Sequence, residues 1–410
     1  MENWNVNSII VTTAVQFFET VYANKRGKLR KMHNMADSIL IFDEAHLMPQ
    51  DYLQPCLRAI AYITRCLNAE AVFLTATMPD FSKLLQQYAL SNSKIVNLIK
   101  DTSLFSQFQK CNYQYLRQVS TETVLEKAMS YPSSLIIVNS KKMARKLFNE
   151  CSTEKKYHLS TYMTSVDRKE IIGKIQLELK KLEEDFPDYK DIPKERRIII
   201  ISTSLIEAGV DLDSYTVFRE LTGLDSILQA GGRCNREGKR SKGEVYIFEF
   251  DSENRTRQDI RTNMTRGIID RYKDISCPQS IKEYYNRLFF IKKDDIQKHT
   301  ITRNCHDISY IPFNEYANQF ELIDSKTVSL VVPQDDMSQE IVDDLRYTGG
   351  GIGIGRKLQK YTCSLYQKEL DDLIQQHVAN DFGTGIWCLT NPDYYDKKTG
   401  ILFEAKDYFI

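Results

Sequence analysis

Asp43 and Glu44 stand side by side at the end of an apolar run, in Ile39–Pro49 (ILIFDEAHLMP). A buried strand that ends there sets both acids at the carboxyl edge of a parallel sheet, where α/β proteins bind ligands. Asp43 can then hold Mg2+ bridging the β- and γ-phosphates of a nucleotide, and Glu44 can polarise the attacking water. Thr75-Ala76-Thr77 follows the next apolar run. Small hydroxyls at a strand end can hydrogen-bond a carboxylate and relay its state to a neighbouring domain. In Ile201–Asp213 (ISTSLIEAGVDLD) a strand runs into small residues, a glycine and an acid. Thr203 can donate to a nucleic-acid phosphate, Gly209 allows close approach, and Asp211 can face a ribose. Gln229–Arg236 (QAGGRCNR) has the spacing Q-x-x-G-R-x-x-R. Read as helix, it puts Arg233 and Arg236 on one face. Guanidinium forks suit phosphate oxygens, and an arginine against a transferring phosphoryl group contributes about 10³–10⁵ in rate.

Strands must carry these residues to a common edge. Short, β-branched runs apolar on both faces read as buried parallel strands: Ser8–Thr12, Ser38–Phe42, Ala71–Leu74, Leu135–Val138, Arg197–Ser202 and Glu244–Phe248. Val15–Ala23, Ser82–Leu90 and Lys141–Glu150 read as covering helices. This is α/β layering. A polar stretch at Asp101–Thr121 separates the first three strands from the rest, and Cys277-Pro278 breaks a charged helical stretch. The expected organisation is a first sheet domain over 1–118, a second over 119–250, a helical linker over 251–299 and a carboxy-terminal accessory domain over 300–410.

With 410 residues the chain is too long for one core. Lys+Arg and Asp+Glu are both 55, so bulk positive charge does not carry nucleic-acid affinity, although a groove can be locally basic. The nine cysteines form no C-x-x-C pair, so neither zinc nor a disulfide framework is signalled. No secretory pattern opens the sequence, and no apolar run reaches the ~18 residues that span a bilayer. A cytoplasmic protein without a membrane partner is expected.

The four motifs, in this order, resemble motifs II, III, V and VI of superfamily-2 helicases of DEAH type. The wording is narrower still: Glu2-Asn3-Trp4, IIVTTAVQFFETVYA and RKMHNMADSILIFDEAH closely resemble the CRISPR-associated helicase–nuclease of type I interference systems. Arg356–Leu365 (RKLQKYTCSL) and Tyr395–Phe403 (YDKKTGILF) resemble its accessory domain. The resemblance covers essentially the whole chain. It implies RecA-like parallel-sheet helicase domains, ATP and Mg2+ as cofactors, single-stranded DNA as partner, and recruitment by the Cascade surveillance complex to destroy foreign DNA. Carried over, Asp43 is the metal ligand, Glu44 orients water, and His46 couples the nucleotide to the second domain. Thr75 and Thr77 link ATP state to DNA. Gly209 and Asp211 lie against the nucleotide, while Gln229, Arg233 and Arg236 close over its phosphates. Thr12, Thr13 and Thr203 touch the single-strand backbone.

The pattern G-x-x-x-x-G-K-[ST] of the phosphate loop does not occur: Gly27-Lys28, Gly173-Lys174 and Gly238-Lys239 each lack the earlier glycine. The six histidines are widely spaced, unlike the clusters of the family's HD nuclease. The first sheet domain is therefore expected to be incomplete. A truncated gene, a split gene with a separately encoded amino-terminal half, and an internal start all account for this. Three readings follow: a helicase part active once completed, a DNA- or Cascade-binding module without turnover, and an inert remnant. Autonomous ATP turnover is not expected.

Overall fold

A computed structural model describes residues 9–75, 84–85, 96–101, 109–186, 192–207, 209–251, 259–292, 313–320, 327–349 and 353–404. Two compact units emerge, Met1–Phe108 with Met264–Asp324, and Gln109–Asn263 with Ser325–Ile410.

In the first unit β1 (Ile39–Asp43) pairs in parallel with β2 (Glu70–Leu74), Ile39 opposite Glu70 and Asp43 opposite Leu74. Strand side chains alternate between faces. Leu40, Phe42, Ala71 and Phe73 pack with Phe17 and Phe18 of α1 (Ala14–Val21) and with Leu53, Leu57 and Ile60 of α2 (Leu53–Cys66). The Phe42 ring meets Phe17 edge-on at 5.3 Å and stacks on Phe73 at 5.5 Å. The opposite face is open: Ile39 is 65% exposed, Ile41 64% and Leu74 44%. The expected strand Ser8–Thr12 is not seen in its described part, residues 9–12, which join no sheet. Ile9 and Val11 are exposed there, as an apolar run is when no neighbour pairs with it.

The second unit holds a six-stranded parallel sheet, ordered β3-β8-β7-β4-β6-β5. Its strands are β3 (Cys111–Val119), β4 (Ser133–Val138), β5 (Lys156–Leu159), β6 (Ile198–Thr203), β7 (Thr216–Glu220) and β8 (Gly243–Phe250). In β6, Ile198 and Ile200 enter one core and Ile199 and Ile201 the other, so the sheet is covered on both faces. Helices α3 (Thr121–Met129) and α4 (Lys141–Glu150) supply one layer, and α5 (Ser165–Asp185) packs in the other. Each begins with a hydroxyl cap, from Ser120, Ser140 and Thr164. The polar stretch 101–121 contains β3, an edge strand whose partly exposed side chains explain its polar reading. The charged stretch after the sheet forms the helices Ile260–Arg271 and Pro278–Ile291, with the expected break at Cys277-Pro278, and from Met264 on it belongs to the first unit.

Within the same unit, β9 (Thr327–Val331), β10 (Thr362–Tyr366), β11 (Ala379–Asn380) and β12 (Trp387–Leu389) form a mixed sheet ordered β10-β9-β12-β11. The sheet shares a core with Tyr162, which precedes α5. Polar ties join it to the larger sheet's helices. Lys141 Nζ donates to Ser364 O at 3.1 Å, Arg145 donates to the carbonyls of Thr399 and Ile401, and Tyr395 OH donates to buried Asp167 at 2.5 Å. Residues 119–250 and the described part of 327–404 thus belong to one compact unit, a coarser division than the sequence suggests. No helix among the described residues is long and apolar enough to cross a membrane.

Candidate functional site

The alternation that buries Phe42 brings Asp43 out at the carboxyl end of β1. The chain turns immediately: Glu44 takes a left-handed conformation (φ 51°, ψ 46°), and its N–H donates to Asp43 Oδ1 at 3.0 Å. A non-glycine residue held there is uncommon and associated with functional turns. The turn sends His46 inward, its side chain fully buried, with Nδ1 2.6 Å from Thr75 Oγ1 and 3.4 Å from Glu44 Oε2. Asp43, Glu44, His46 and Thr75 therefore form one cluster across the ends of β1 and β2. Thr77 lies outside the described residues. Thr13 caps α1 by accepting from Gln16 N–H at 3.2 Å, and Thr12 Oγ1 donates to Gln16 Oε1 at 3.2 Å. A capping hydroxyl still has its own proton to donate.

The second cluster surrounds the carboxyl end of β6 in the other unit. Thr203 is its last residue and is buried. Gly209 has φ +72° with open space where a Cβ would stand, so backbone conformation, and not crowding, calls for glycine. Asp211 is 80% exposed on its side chain and lies 3.2 Å from Arg236 Nη1. Arg233 reaches back to the same loop, its Nε donating to Ile206 O at 3.1 Å and its Nη2 to Glu207 O at 2.6 Å. Gln229 sits in α6 (Leu224–Gly231), half-buried.

One expectation is corrected here. Arg233 and Arg236 do not share a helix face, because α6 stops at Gly231. The chain then turns through Asn235 (φ 52°), whose side chain donates to Arg240 O at 2.9 Å and accepts from Arg240 N–H at 3.0 Å. Buried Cys111 Sγ donates to Gly231 O and Cys234 O at 3.3 and 3.1 Å, fastening that turn to β3. These local bonds satisfy the carbonyls that a continued helix would have used.

The sequence reading overlooked Arg219 and Glu207. Arg219 is 2% exposed inside β7, its Nε 2.9 Å from Glu207 Oε1. Burial pushes the Glu207 carboxyl up, against the opposing pull of Arg219. An arginine in the middle of an otherwise buried strand (TVFRE) was the available signal, because such a charge is almost always paired. Among the described residues no group of three or more His, Cys, Asp or Glu is arranged to hold a metal.

Comparison with known proteins shows what the chain and its fold resemble. The family described as CRISPR-associated nuclease/helicase Cas3, C-terminal, matches residues 131–239. The CRISPR-associated nuclease/helicase Cas3 of Haloferax volcanii is 25% identical over 346 residues, covering 62% of this chain and 36% of that protein. The crystal structure of T. fusca Cas3-AMPPNP shares the fold with a TM-score of 0.63 at 14% identity, over 92% of this chain and 53% of that one. A chain of a CRISPR RNA-guided surveillance complex, pre-nicking, aligns with a TM-score of 0.59 at 13% identity, over 94% of this chain and 59% of its own. The chain thus spans about a third of the Haloferax relative's length and about half of the T. fusca chain. With a parallel sheet that shares the fold of these structures, the chain is similar to CRISPR-associated Cas3 helicases, and its match to the Cas3 C-terminal family lies within residues 131–239.

Proposed function

We propose that the chain is the helicase part of an ATP-dependent motor that translocates on single-stranded DNA in the cytoplasm and acts with a Cascade-type surveillance complex against foreign DNA. The observation that carries this reading is the pairing of motif residues distant in sequence: His46 with Thr75, Arg233 with the backbone of Ile206 and Glu207, and Arg236 with Asp211. The structures of T. fusca Cas3 named for AMPPNP, ADP and ATP support the nucleotide assignment, and the surveillance-complex chain supports the partner.

Asp43 fits a Mg2+ ligand. Its carboxylate is exposed at the sheet edge and keeps acceptor capacity beyond the one Glu44 N–H it takes, and Mg2+ binds through one or two carboxylates plus phosphate oxygens. Asp43 would hold such an ion, whose positive charge would offset that of the phosphates. Glu44 orients water, and His46 passes the state of this turn to Thr75 and, with Thr77, toward DNA. Gly209 and Asp211 would contact a nucleotide, and Gln229, Arg233 and Arg236 would bind its phosphates. Thr13 and Thr203 would donate to the DNA backbone, as would Thr12 once its hydroxyl turns away from Gln16, contacts that track a strand without reading its sequence.

No phosphate-loop pattern occurs in the 410 residues, so turnover requires a completing amino-terminal half. The open apolar face of β1 and β2 supports such a half, because parallel sheets are covered on both faces. The test is ATP hydrolysis with single-stranded DNA, by this chain alone and with an amino-terminal half supplied. Hydrolysis that appears only on completion and disappears in Glu44→Gln is the expected result. Salt-sensitive DNA binding indifferent to ATP and to Glu44→Gln would replace the motor by a binding module.

A further inference from the structure

A long, charged side chain sits where the sheet offers no solvent. Arg219 lies in β7, all five of whose residues are buried. A buried ion pair is seldom a net source of stability, since apolar residues of similar volume often do as well or better. Its placement therefore calls for a reason other than stability, and its partners suggest one.

Every nitrogen of the guanidinium is engaged. Nη1 donates to Asn139 Oδ1 at 2.7 Å, Glu220 O at 3.0 Å and Ile137 O at 3.4 Å. Nη2 donates to Ser226 Oγ at 2.9 Å, and Nε faces Glu207 Oε1 at 2.9 Å as an ion pair outside hydrogen-bond alignment. Ser226 Oγ in turn donates to Glu207 Oε2 at 2.7 Å. One side chain thus gathers the end of β4, the end of β7, the first turn of α6 and the loop that follows β6. Asn139 is held as well: its N–H donates to Glu220 Oε2 at 2.7 Å and its amide to Leu221 O at 3.0 Å.

Glu207 has two ends, and both are used. Its carboxylate is fixed by Arg219 and Ser226, while its main-chain carbonyl receives Arg233. The loop that leaves Glu207 runs through Gly209 to Asp211, which pairs with Arg236. We infer that Arg219 and Glu207, bridged by Ser226, are positioning residues that hold the loop at 204–213 and the arginines at 233 and 236 in one geometry. The inference rests on the reading of that loop and those arginines as the nucleotide- and DNA-facing parts of a helicase domain. Arginine suits the role because its planar fork can direct donors to four elements at once, which a lysine ammonium on a flexible stem cannot.

The test uses the full chain and separates positioning from stability. Arg219→Met alone leaves Glu207 buried beside no cation and lowers the melting temperature. The double variant Arg219→Met with Glu207→Leu restores an apolar pair and is expected to melt close to wild type. Amide exchange at 205–212 is nevertheless expected to be about tenfold faster in it, with β4 and β6 unchanged, because local opening is set by local ties. Affinity for an oligo-dT strand, read by fluorescence anisotropy, is expected to fall about fivefold as the Thr203 loop loosens. Arg219→Lys is expected to exchange as the double variant does, and the milder Ser226→Ala should loosen the same loop to a lesser degree. Wild-type exchange at 205–212 in a folded double variant, or in both Arg219→Lys and Ser226→Ala, overturns the inference. A wild-type chain that fails to bind oligo-dT sinks the helicase reading instead, while the exchange comparison still decides whether Arg219 and Glu207 position the loop.

Discussion

The bond between His46 and Thr75 is the smallest unit on which the proposed coupling depends. His46 is fully buried, so its ring nitrogen has no water to replace a lost partner. Thr75→Val keeps shape and β-branching but removes the hydroxyl, and with it a hydrogen bond whose net contribution is about 0.5–1.5 kcal/mol. The expected result is faster amide exchange in β1 and β2, with β4 and β6 unaffected. Unchanged exchange in β1 would show that the bond does not tie the two strand ends together. The DEAH turn was legible in the sequence because its acids follow an apolar run directly. That His46 turns inward and meets Thr75 was not, because the left-handed conformation of Glu44 redirects the chain.

At the scale of elements, the larger sheet and the carboxy-terminal sheet are joined by side chains that no motif marks. His158 of β5 is buried, and burial first, with Arg145 nearby, pushes its pKa down from 6.5 to about 3. Between those values the unfolded chain binds the extra proton and the folded chain does not, so stability rises with pH. This contribution is complete above pH 6.5 and falls by about 1.4 kcal/mol per unit as pH drops toward 3. His158→Leu is therefore expected to flatten the acid limb of a stability–pH profile measured by urea unfolding. A separate two-stranded pair, Tyr395–Asp396 with Gly400–Ile401, packs onto the segment after β5 through Gly400. Gly400 has φ +82°, and a Cβ there would stand 2.3 Å from Tyr162 O. Gly400→Ala is expected to cost about 2–4 kcal/mol, seen as a lower urea midpoint. A midpoint within error of wild type would mean that the contact with Tyr162 is dispensable. Periodicity announced β4, β6 and β8, buried on both faces and β-branched. It missed β3 and β5, edge strands with polar side chains, and β7, whose apolar run is interrupted by an arginine and a glutamate.

At the scale of the molecule, two properties act together. Positive and negative side chains balance at 55 each, and the β1–β2 sheet leaves Ile39, Ile41 and Leu74 exposed. A neutral protein with an open apolar sheet face is prone to self-association. Replacing Ile39 and Ile41 by threonine keeps strand propensity and lowers apolar area. Light scattering should then show less aggregation, and an amino-terminal half should no longer restore ATP turnover. Persistent aggregation would place the adhesive surface elsewhere.

The sequence by itself determined the order of the motifs, the α/β layering and the strands that carry the acids, because strand burial and turn chemistry are written in local residue types. It also identified the absence of a phosphate-loop pattern, which is a matter of spacing alone. Tertiary structure decided where α6 ends, how Arg233 and Arg236 turn back onto the loop after β6, and that Arg219 and Glu207 meet inside the protein. Those facts depend on partners far apart in the chain, and a buried charge acquires its meaning only from the groups that surround it.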